Sequence, residues 1–195
     1  MAEVVLFHHV QGLTEGVRAF AEELRAGGHT VHTPDLFDGE HPATVEDGLA
    51  YVEKVGEDVV RERAGRVVGE LPVGLVYAGI SWGAATAQGF AQLRPGARGA
   101  LLYEGCMPVT GQWAFGPWPD GVPMQFHAKD ADPFMLEGDL DAARELVTIV
   151  GPELAEVFTY PGDRHLFTDS SLPSYDADAT ALVLRRSRAF LDRVG

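Results

Sequence analysis

Short apolar segments rich in β-branched residues alternate with longer segments of helical spacing along the whole chain. This alternation predicts an α/β fold: a mostly parallel sheet of about seven strands with helices on both faces, in a single domain over residues 1–195. Strands are predicted near residues 4–7, 29–34, 73–78, 100–103, 122–128 and 157–160. Helices are predicted over 14–26, 82–93, 140–150 and 176–194. A further helical stretch begins at Thr44 and runs through Val59, and Gly56 and Gly65 weaken or interrupt it.

The charge and the cysteine content restrict the classes of partner and of site. Fifteen basic residues stand against 29 acidic ones, a net charge of −14, and such a chain repels nucleic acid and anionic membrane surfaces. The single cysteine, Cys106, excludes an intrachain disulfide and a four-cysteine zinc site. The N-terminus lacks the basic region and long apolar run of a signal peptide, so a cytoplasmic protein is expected. Nothing in the sequence specifies an oligomeric state.

The segment Gly79-Ile-Ser-Trp-Gly83 fits the G-x-S-x-G pattern at the junction of a predicted strand and a predicted helix. Two glycines permit a sharp turn that exposes Ser81, and we expect a strained backbone there. The amide of Trp82, at the start of the helix, would then point toward a carbonyl under attack. The alternative is a glycine-rich turn with a capping serine.

An acid and a histidine follow at later strand ends. Asp132 lies in the loop after the strand at 122–128, where Asp130 competes for the same role, and His165 lies between the last strand and the last helix. The order Ser, Asp, His is that of α/β-hydrolases. Serine alone is a weak nucleophile, so a neutral imidazole must take its proton and later deliver one to the leaving group.

The remaining histidines and the cysteine are assigned no chemistry. Adjacent residues on a strand point to opposite faces, so His8 and His9 are unsuited to bind one metal ion, and neither a metal nor a cofactor is predicted. Cys106 has no base and acid arranged around it and is expected to be a small buried residue.

Taken together, the sequence resembles the dienelactone hydrolase family from its first strand to its last helix. The segments that carry the resemblance are Val5-Leu-Phe-His-His-Val-Gln-Gly12, Pro34-Asp-Leu-Phe37, Gly79-Ile-Ser-Trp-Gly83, His127 to Phe134 and Tyr160 to Pro173. The resemblance implies a compact α/β-hydrolase fold with little or no cap domain.

The resemblance also implies roles for individual residues. Ser81 would be the nucleophile, Asp132 the acid and His165 the base, with an oxyanion hole formed by the amides of Trp82 and Val10. His9 takes the position where lactone-hydrolysing members tend to carry an acid beside that hole. Candidate pocket residues are His9, Glu104 and three aromatic residues of the Gly- and Pro-rich loop 105–121, namely Trp113, Phe115 and Trp118.

Two features depart from the family's namesake enzymes. Those enzymes use a cysteine nucleophile, whereas Ser81 depends fully on its general base. They also hold a substrate carboxylate with basic residues, but the stretch after His165 contains none, and such a carboxylate would be expected to meet Asp169. A preference for neutral acyl groups is therefore predicted, with Arg164 as the main counter-argument.

The function expected from these residues is hydrolysis of an ester, lactone or thioester of a small molecule through an acyl-enzyme. An acyltransferase would use the same three residues with a different acceptor. A non-catalytic binding protein on a hydrolase fold is the third alternative, because fold alone does not guarantee activity. The sequence does not separate these alternatives.

Overall fold

Six parallel strands form one sheet in the computed structural model, which describes residues 1–195. Their order across the sheet is β2-β1-β3-β4-β5-β6. The strands are β1 (Glu3–Phe7), β2 (Thr30–His32), β3 (Val76–Ile80), β4 (Gly99–Tyr103), β5 (Met124–Lys129) and β6 (Ala155–Tyr160). The helices are α1 (Glu15–Ala26), α2 (Val45–Val55), α3 (Glu57–Glu70), α4 (Trp82–Leu93), α5 (Leu140–Val150) and α6 (Ala177–Val194), with a π-helical turn at Met135–Asp139 before α5.

Local sequence signals set several helix boundaries. The Thr14 side chain accepts a hydrogen bond from the Val17 amide (3.1 Å), and Thr44 caps α2 in the same way through Asp47. Such caps satisfy amides that have no partner within the helix. Gly56 adopts a φ of 98°, which ends α2 and separates it from α3. The weak point predicted at Gly56 is therefore a break between two helices.

Helices cover both faces of the sheet, as predicted. On one face α1 and α6 pack against the sheet in a cluster of 22 buried residues that includes Phe20, Leu24 and Phe190. On the other face α2 to α5 form a cluster of 29 buried residues with the opposite side chains of the same strands. Because both faces are buried, the central strands are apolar throughout, and every residue of β3 and β4 is buried.

The strand count and one strand boundary differ from the prediction. The sheet has six strands and not about seven, because only six apolar segments of strand length exist and the rest of the chain forms helices and loops. The strand predicted at 73–78 runs from Val76 to Ile80. Val73 lies in a turn closed by a hydrogen bond from the Leu75 amide and is 58% exposed. Gly79 consequently belongs to the strand, and the turn begins at Ser81.

The register brings the ends of three neighbouring strands to one edge. Ile80 pairs with Tyr103, and Tyr103 pairs with His127. Because all strands are parallel, the residues that follow β3, β4 and β5 emerge side by side. None of the helices is both long enough and apolar enough to cross a bilayer.

Candidate active site

Ser81 occupies a strained turn between β3 and α4. Its φ is 52° and its ψ is −118°, in a region that side-chain-bearing residues rarely adopt. The flanking glycines are required because other backbone groups lie too close for a side chain. A Cβ at Gly79 would clash with the Gly83 carbonyl, and a Cβ at Gly83 would clash with the carbonyls of Phe7 and His8. The G-x-S-x-G pattern therefore lets α4 begin directly against the end of β1.

A continuous chain of hydrogen bonds connects Ser81, His165 and Asp132. Ser81 Oγ lies 2.7 Å from His165 Nε2, and His165 Nδ1 lies 2.6 Å from Asp132 Oδ2. In the tautomer that this arrangement requires, Nδ1–H donates to the carboxylate and Nε2 accepts the hydroxyl proton. The Asp132 side chain is fully buried, and its other oxygen accepts from the Phe134 amide at 3.0 Å.

The competing acid, Asp130, has a different contact. Its side chain is exposed and accepts a hydrogen bond from the Gly162 amide (3.0 Å), which ties the loop after β5 to the loop after β6. Only Asp132 reaches the imidazole. Asp130 thus helps to hold the segment that precedes His165 but does not contact it.

Opposing effects act on the pKa of His165. Burial lowers this pKa, but the hydrogen bond to Asp132 and the charges of Glu104, Asp132 and Asp139 outweigh burial and raise it above its ordinary value. A raised pKa makes His165 a stronger acceptor for the serine proton. The same arrangement stabilises the imidazolium cation that results.

The amides of Trp82 and Val10, predicted to form an oxyanion hole, have no hydrogen-bond partner in a helix or in the sheet. Trp82 is the first residue of α4, where an amide has no carbonyl partner within the helix. Val10 lies just past the end of β1, and its amide makes no backbone hydrogen bond. The packing of Gly83 against the carbonyls of Phe7 and His8 brings the two segments together. The assignment of these two amides as an oxyanion hole at Ser81 stays a prediction.

His9, predicted near the pocket, is fully buried. Its Nδ1 accepts from the Gln11 amide (3.2 Å), so its Nε2–H donates to Asp169 at 2.7 Å. Asp169 also accepts hydrogen bonds from the hydroxyls of Thr14 (2.5 Å) and Ser171 (2.6 Å). The expectation that Asp169 would meet a substrate is wrong, because its carboxylate is fully buried and engaged on all sides.

The aromatic loop follows a path that the sequence did not predict. Trp118 is buried in the core, and its indole N–H donates to the Val122 carbonyl (2.8 Å). Phe115 is partly buried over Gly89, two turns along α4 from Ser81, and Trp113 is 69% exposed. Trp118 is therefore a core residue, and a pocket role for Trp113 and Phe115 stays a prediction.

Three residues near His165 had no stated role in the sequence reasoning. Glu104 was only a candidate pocket residue, but it is buried with Oε2 3.8 Å from His165 Nδ1. The ring of Phe134 lies 4.6 Å from the imidazole, centroid to centroid, and is 40% exposed. Asp139 accepts from the Cys106 amide at 2.8 Å. Only the position of Glu104 directly after a strand could have been noticed in the sequence.

The other candidate ligands and nucleophile have separate partners. The Leu36 amide donates to His8 Nε2 (3.0 Å), and burial lowers the pKa of His8 to about 4. Burial, with Asp139 nearby, raises the pKa of the Cys106 thiol. The ligand atoms of Glu104, Asp132 and His165 lie within 4.8 Å of one another, close enough to hold a cation. Both ring nitrogens of His165, however, are already engaged by Ser81 and Asp132.

The parallel sheet, its flanking helices and a serine on the turn after a central strand define the α/β-hydrolase fold. Within that class, the model of the dienelactone hydrolase family matches residues 1–195, and the chain belongs to this family of hydrolases. No curated protein matches the sequence significantly.

Solved structures share the fold at low sequence identity. A protein from Klebsiella pneumoniae provisionally named a dienelactone hydrolase superposes with a TM-score of 0.76 at 17% identity, covering 99% of this chain and 87% of that one. A dienelactone hydrolase-like promiscuous phosphotriesterase from metagenomic libraries gives 0.74 at 16% identity, covering 100% and 87%. The butyrate-bound esterase of the planctomycete Thermogutta terrifontis gives 0.61 at 16% identity, covering 100% and 84%.

Proposed function

We propose that this protein is a serine hydrolase that cleaves an ester, lactone or thioester of a small molecule through an acyl-enzyme at Ser81. The observation that carries the proposal is the hydrogen-bonded chain from Ser81 Oγ to His165 (2.7 Å) and from His165 to Asp132 (2.6 Å), set on the strained turn. Membership of a hydrolase family supports the reaction type.

In the first half of the reaction, His165 Nε2 takes the Ser81 proton as Oγ attacks the carbonyl carbon. The carbonyl oxygen becomes an anion, and the amides of Val10 and Trp82 donate hydrogen bonds to it. Asp132 holds the imidazole in the required tautomer and balances the imidazolium charge. His165 then gives its proton to the leaving oxygen or sulfur, and the acyl group stays on Ser81.

In the second half, water takes the place of the leaving group. His165 removes a proton from the water, whose oxygen attacks the acyl carbon, and the same amides stabilise the second oxyanion. When the intermediate collapses, Ser81 Oγ recovers its proton from His165 and the carboxylic acid leaves. A lactone follows the same steps, except that its alcohol remains attached to the acyl group.

The charges around the site favour neutral acyl groups. The acids Glu104, Asp132 and Asp139 all act on His165, so the local field is negative. Two basic side chains close to the site along the chain are directed elsewhere: Lys129 Nζ pairs with Asp176 at 2.5 Å, and Arg164 donates to the Pro173 carbonyl at 3.0 Å. A substrate carboxylate would therefore lack a cationic partner in a partly desolvated site.

A fluorophosphonate probe tests the proposal, since it reacts with a serine only when a general base activates it. We expect labelling of the wild-type protein at Ser81, none of Ser81→Ala, and at least a hundredfold slower labelling of His165→Ala. Ser170→Ala, which removes an exposed hydroxyl from the same loop as His165, is the matched control and should label at the wild-type rate.

The outcomes separate the three alternatives. Folded wild-type protein that does not react would refute the hydrolase and favour a binding protein. For labelled protein, a simple thioester incubated with an added alcohol distinguishes transfer from hydrolysis: free acid is the expected product. An alkyl ester as the main product would instead identify an acyltransferase.

A further inference from the structure

A second carboxylate occupies the strand end between the nucleophile and the acid. Ser81 follows β3 and Glu104 follows β4, directly beside each other in the sheet, while Asp132 lies in the loop after β5. The register continues past the strands, because the Ser81 amide donates to the Tyr103 carbonyl and the Glu104 amide donates to the His127 carbonyl. Glu104 is thus placed at the site by the sheet itself.

The Glu104 carboxylate holds the loop that carries His165. It is 1% exposed; its Oε2 accepts from the Phe167 amide (3.2 Å), and its Oε1 accepts from the Thr168 hydroxyl (3.0 Å). Oε2 also lies 3.8 Å from His165 Nδ1, the nitrogen that donates to Asp132 at 2.6 Å. Two carboxylates therefore face one imidazole nitrogen from adjacent strand ends.

Backbone strain is concentrated at the same place. Four residues other than glycine have a positive φ, and three of them are Ser81 (52°), Glu104 (56°) and Leu166 (59°), the last next to His165. Such conformations are energetically unfavourable and persist mainly where surrounding contacts enforce them. Glu104 is held in such a conformation next to the strained nucleophile.

No lysine or arginine pairs with this buried acid. The only ion-pair partner within reach of Glu104 is His165. The charged groups that act on Glu104 are His165 and Asp132, and those that act on His165 are Asp132, Glu104 and Asp139. Burial raises the pKa of Glu104 to about 7, against the effects of His165, Thr168 and Phe167. A purely structural clamp would need only a neutral amide, which is far less costly to bury.

We propose that Glu104 is a second acid for His165, a positioning residue that fixes the imidazole loop and shares with Asp132 the positive charge that His165 gains from the Ser81 proton. The proposal rests on the proposed hydrolase function. Glu104 touches neither the substrate nor Ser81 Oγ and acts through His165. When Asp132 is removed, Glu104 is the acceptor that remains near Nδ1.

The first test measures His165 itself, without any substrate. Imidazole NMR titrations are compared for the wild-type protein, Glu104→Gln and Glu137→Gln, the last being a matched control on an exposed acid of the π-helical turn. Loss of the Glu104 charge should lower the pKa of His165, because one of the charges that raise it is removed. Glu137→Gln should leave it unchanged. An unchanged titration in folded Glu104→Gln overturns the proposal.

The second test uses the pH profile of fluorophosphonate labelling. His165 must be neutral to act as a base, so labelling falls as the pH drops through its pKa. In Glu104→Gln this acidic limb should move to lower pH while the plateau rate falls about tenfold. A merely structural role would lower the plateau without moving the limb. Glu104→Asp, which keeps the charge and shortens the clamp, should keep the limb at the wild-type position. Glu104→Ala, which also removes the charge, replaces Glu104→Gln if that variant does not fold.

A double-mutant cycle completes the experiment. Asp132→Asn should retain measurable labelling, and it should cost at least tenfold more in the Glu104→Gln background than in the wild-type background. Equal costs in the two backgrounds would overturn the shared role of the two acids. Absence of labelling in the wild-type protein would overturn the hydrolase function instead, and the NMR titration would still report whether Glu104 acts on His165.

Discussion

Replacement of Asp169 by asparagine should destabilise the fold by an amount that the structure allows us to work out. Burial alone would raise the pKa of Asp169, but hydrogen bonds from His9, Ser171 and Thr14 outweigh burial and lower it to about 2 from 3.8. Each pKa unit corresponds to about 1.4 kcal/mol of preference for the charged form. The ionised carboxylate therefore contributes about 2 kcal/mol to the free energy of unfolding at neutral pH.

The sign of the pH dependence follows from the direction of that shift. Because the pKa is lower in the folded state, the stabilisation is complete above the unfolded value near 3.8 and disappears as the pH falls toward 2. Asp169→Asn should thus lose about 2 kcal/mol at pH 7, and the difference from the wild-type protein should shrink below pH 4. In a chain of this size such a loss lowers Tm by about 4–8 °C.

Urea unfolding followed by tryptophan fluorescence measures this difference at pH 7 and at pH 3. The matched control is Asp163→Asn, which neutralises an exposed carboxylate in the same loop and should change stability by less than about 0.5 kcal/mol. An Asp169→Asn variant as stable as the control at pH 7 would refute the reasoning. So would a penalty of equal size at both pH values, because it would mean that the carboxylate charge has no part in the effect.

Two further predictions concern the approach of α4 and the charge of the substrate. Gly83→Ala should abolish fluorophosphonate labelling or prevent folding, because the added Cβ would clash with the carbonyls of Phe7 and His8. The control Gly89→Ala, on the same helix, should be tolerated because its Cβ would make only an ordinary 3.7 Å contact. A comparable loss in both variants would contradict this prediction. When a lactone that bears a free carboxylate is compared with its methyl ester, the methyl ester should show the higher kcat/KM. Arg164→Ala should not change the ratio of the two kcat/KM values, because the Arg164 side chain donates to the Pro173 carbonyl. Faster turnover of the free acid would show that the site holds a cation for it.

The fold could be predicted from the sequence because the signals that specify its strands and helices are local. Apolar runs of strand length, caps such as Thr14 and breaks such as Gly56 act over a few residues, and the structure follows them closely. The strained turn at Ser81 could also be predicted from a short stretch of sequence, because the G-x-S-x-G pattern contains both the serine and the glycines that permit close packing. The order of Ser81, Asp132 and His165 along the chain predicted their proximity, and the structure brings them into contact.

The contacts that the sequence did not predict join residues that are far apart along the chain. His9 pairs with Asp169, 160 residues away, and Glu104 contacts Thr168, 64 residues away. The pattern of apolar residues does not specify which buried polar groups meet. Trp118 was misassigned for a related reason: its indole finds a carbonyl partner at Val122 and the ring enters the core, and no periodic pattern indicates the path of an irregular segment.

The strained residues of the site are held by hydrogen bonds that extend the sheet beyond its last regular pairs. The Ser81 amide bonds the Tyr103 carbonyl at 2.7 Å, and the Glu104 amide bonds the His127 carbonyl at 2.8 Å, each one residue past the end of a strand. Each bond fixes the residue's amide in the sheet while its φ turns positive. The stability of the sheet thereby offsets the local strain, and it sets the directions of the nucleophile and of the second acid together. A change that displaces β4, which pairs with β3 on one side and with β5 on the other, should therefore disturb both side chains at once, even when it lies in the core and touches neither.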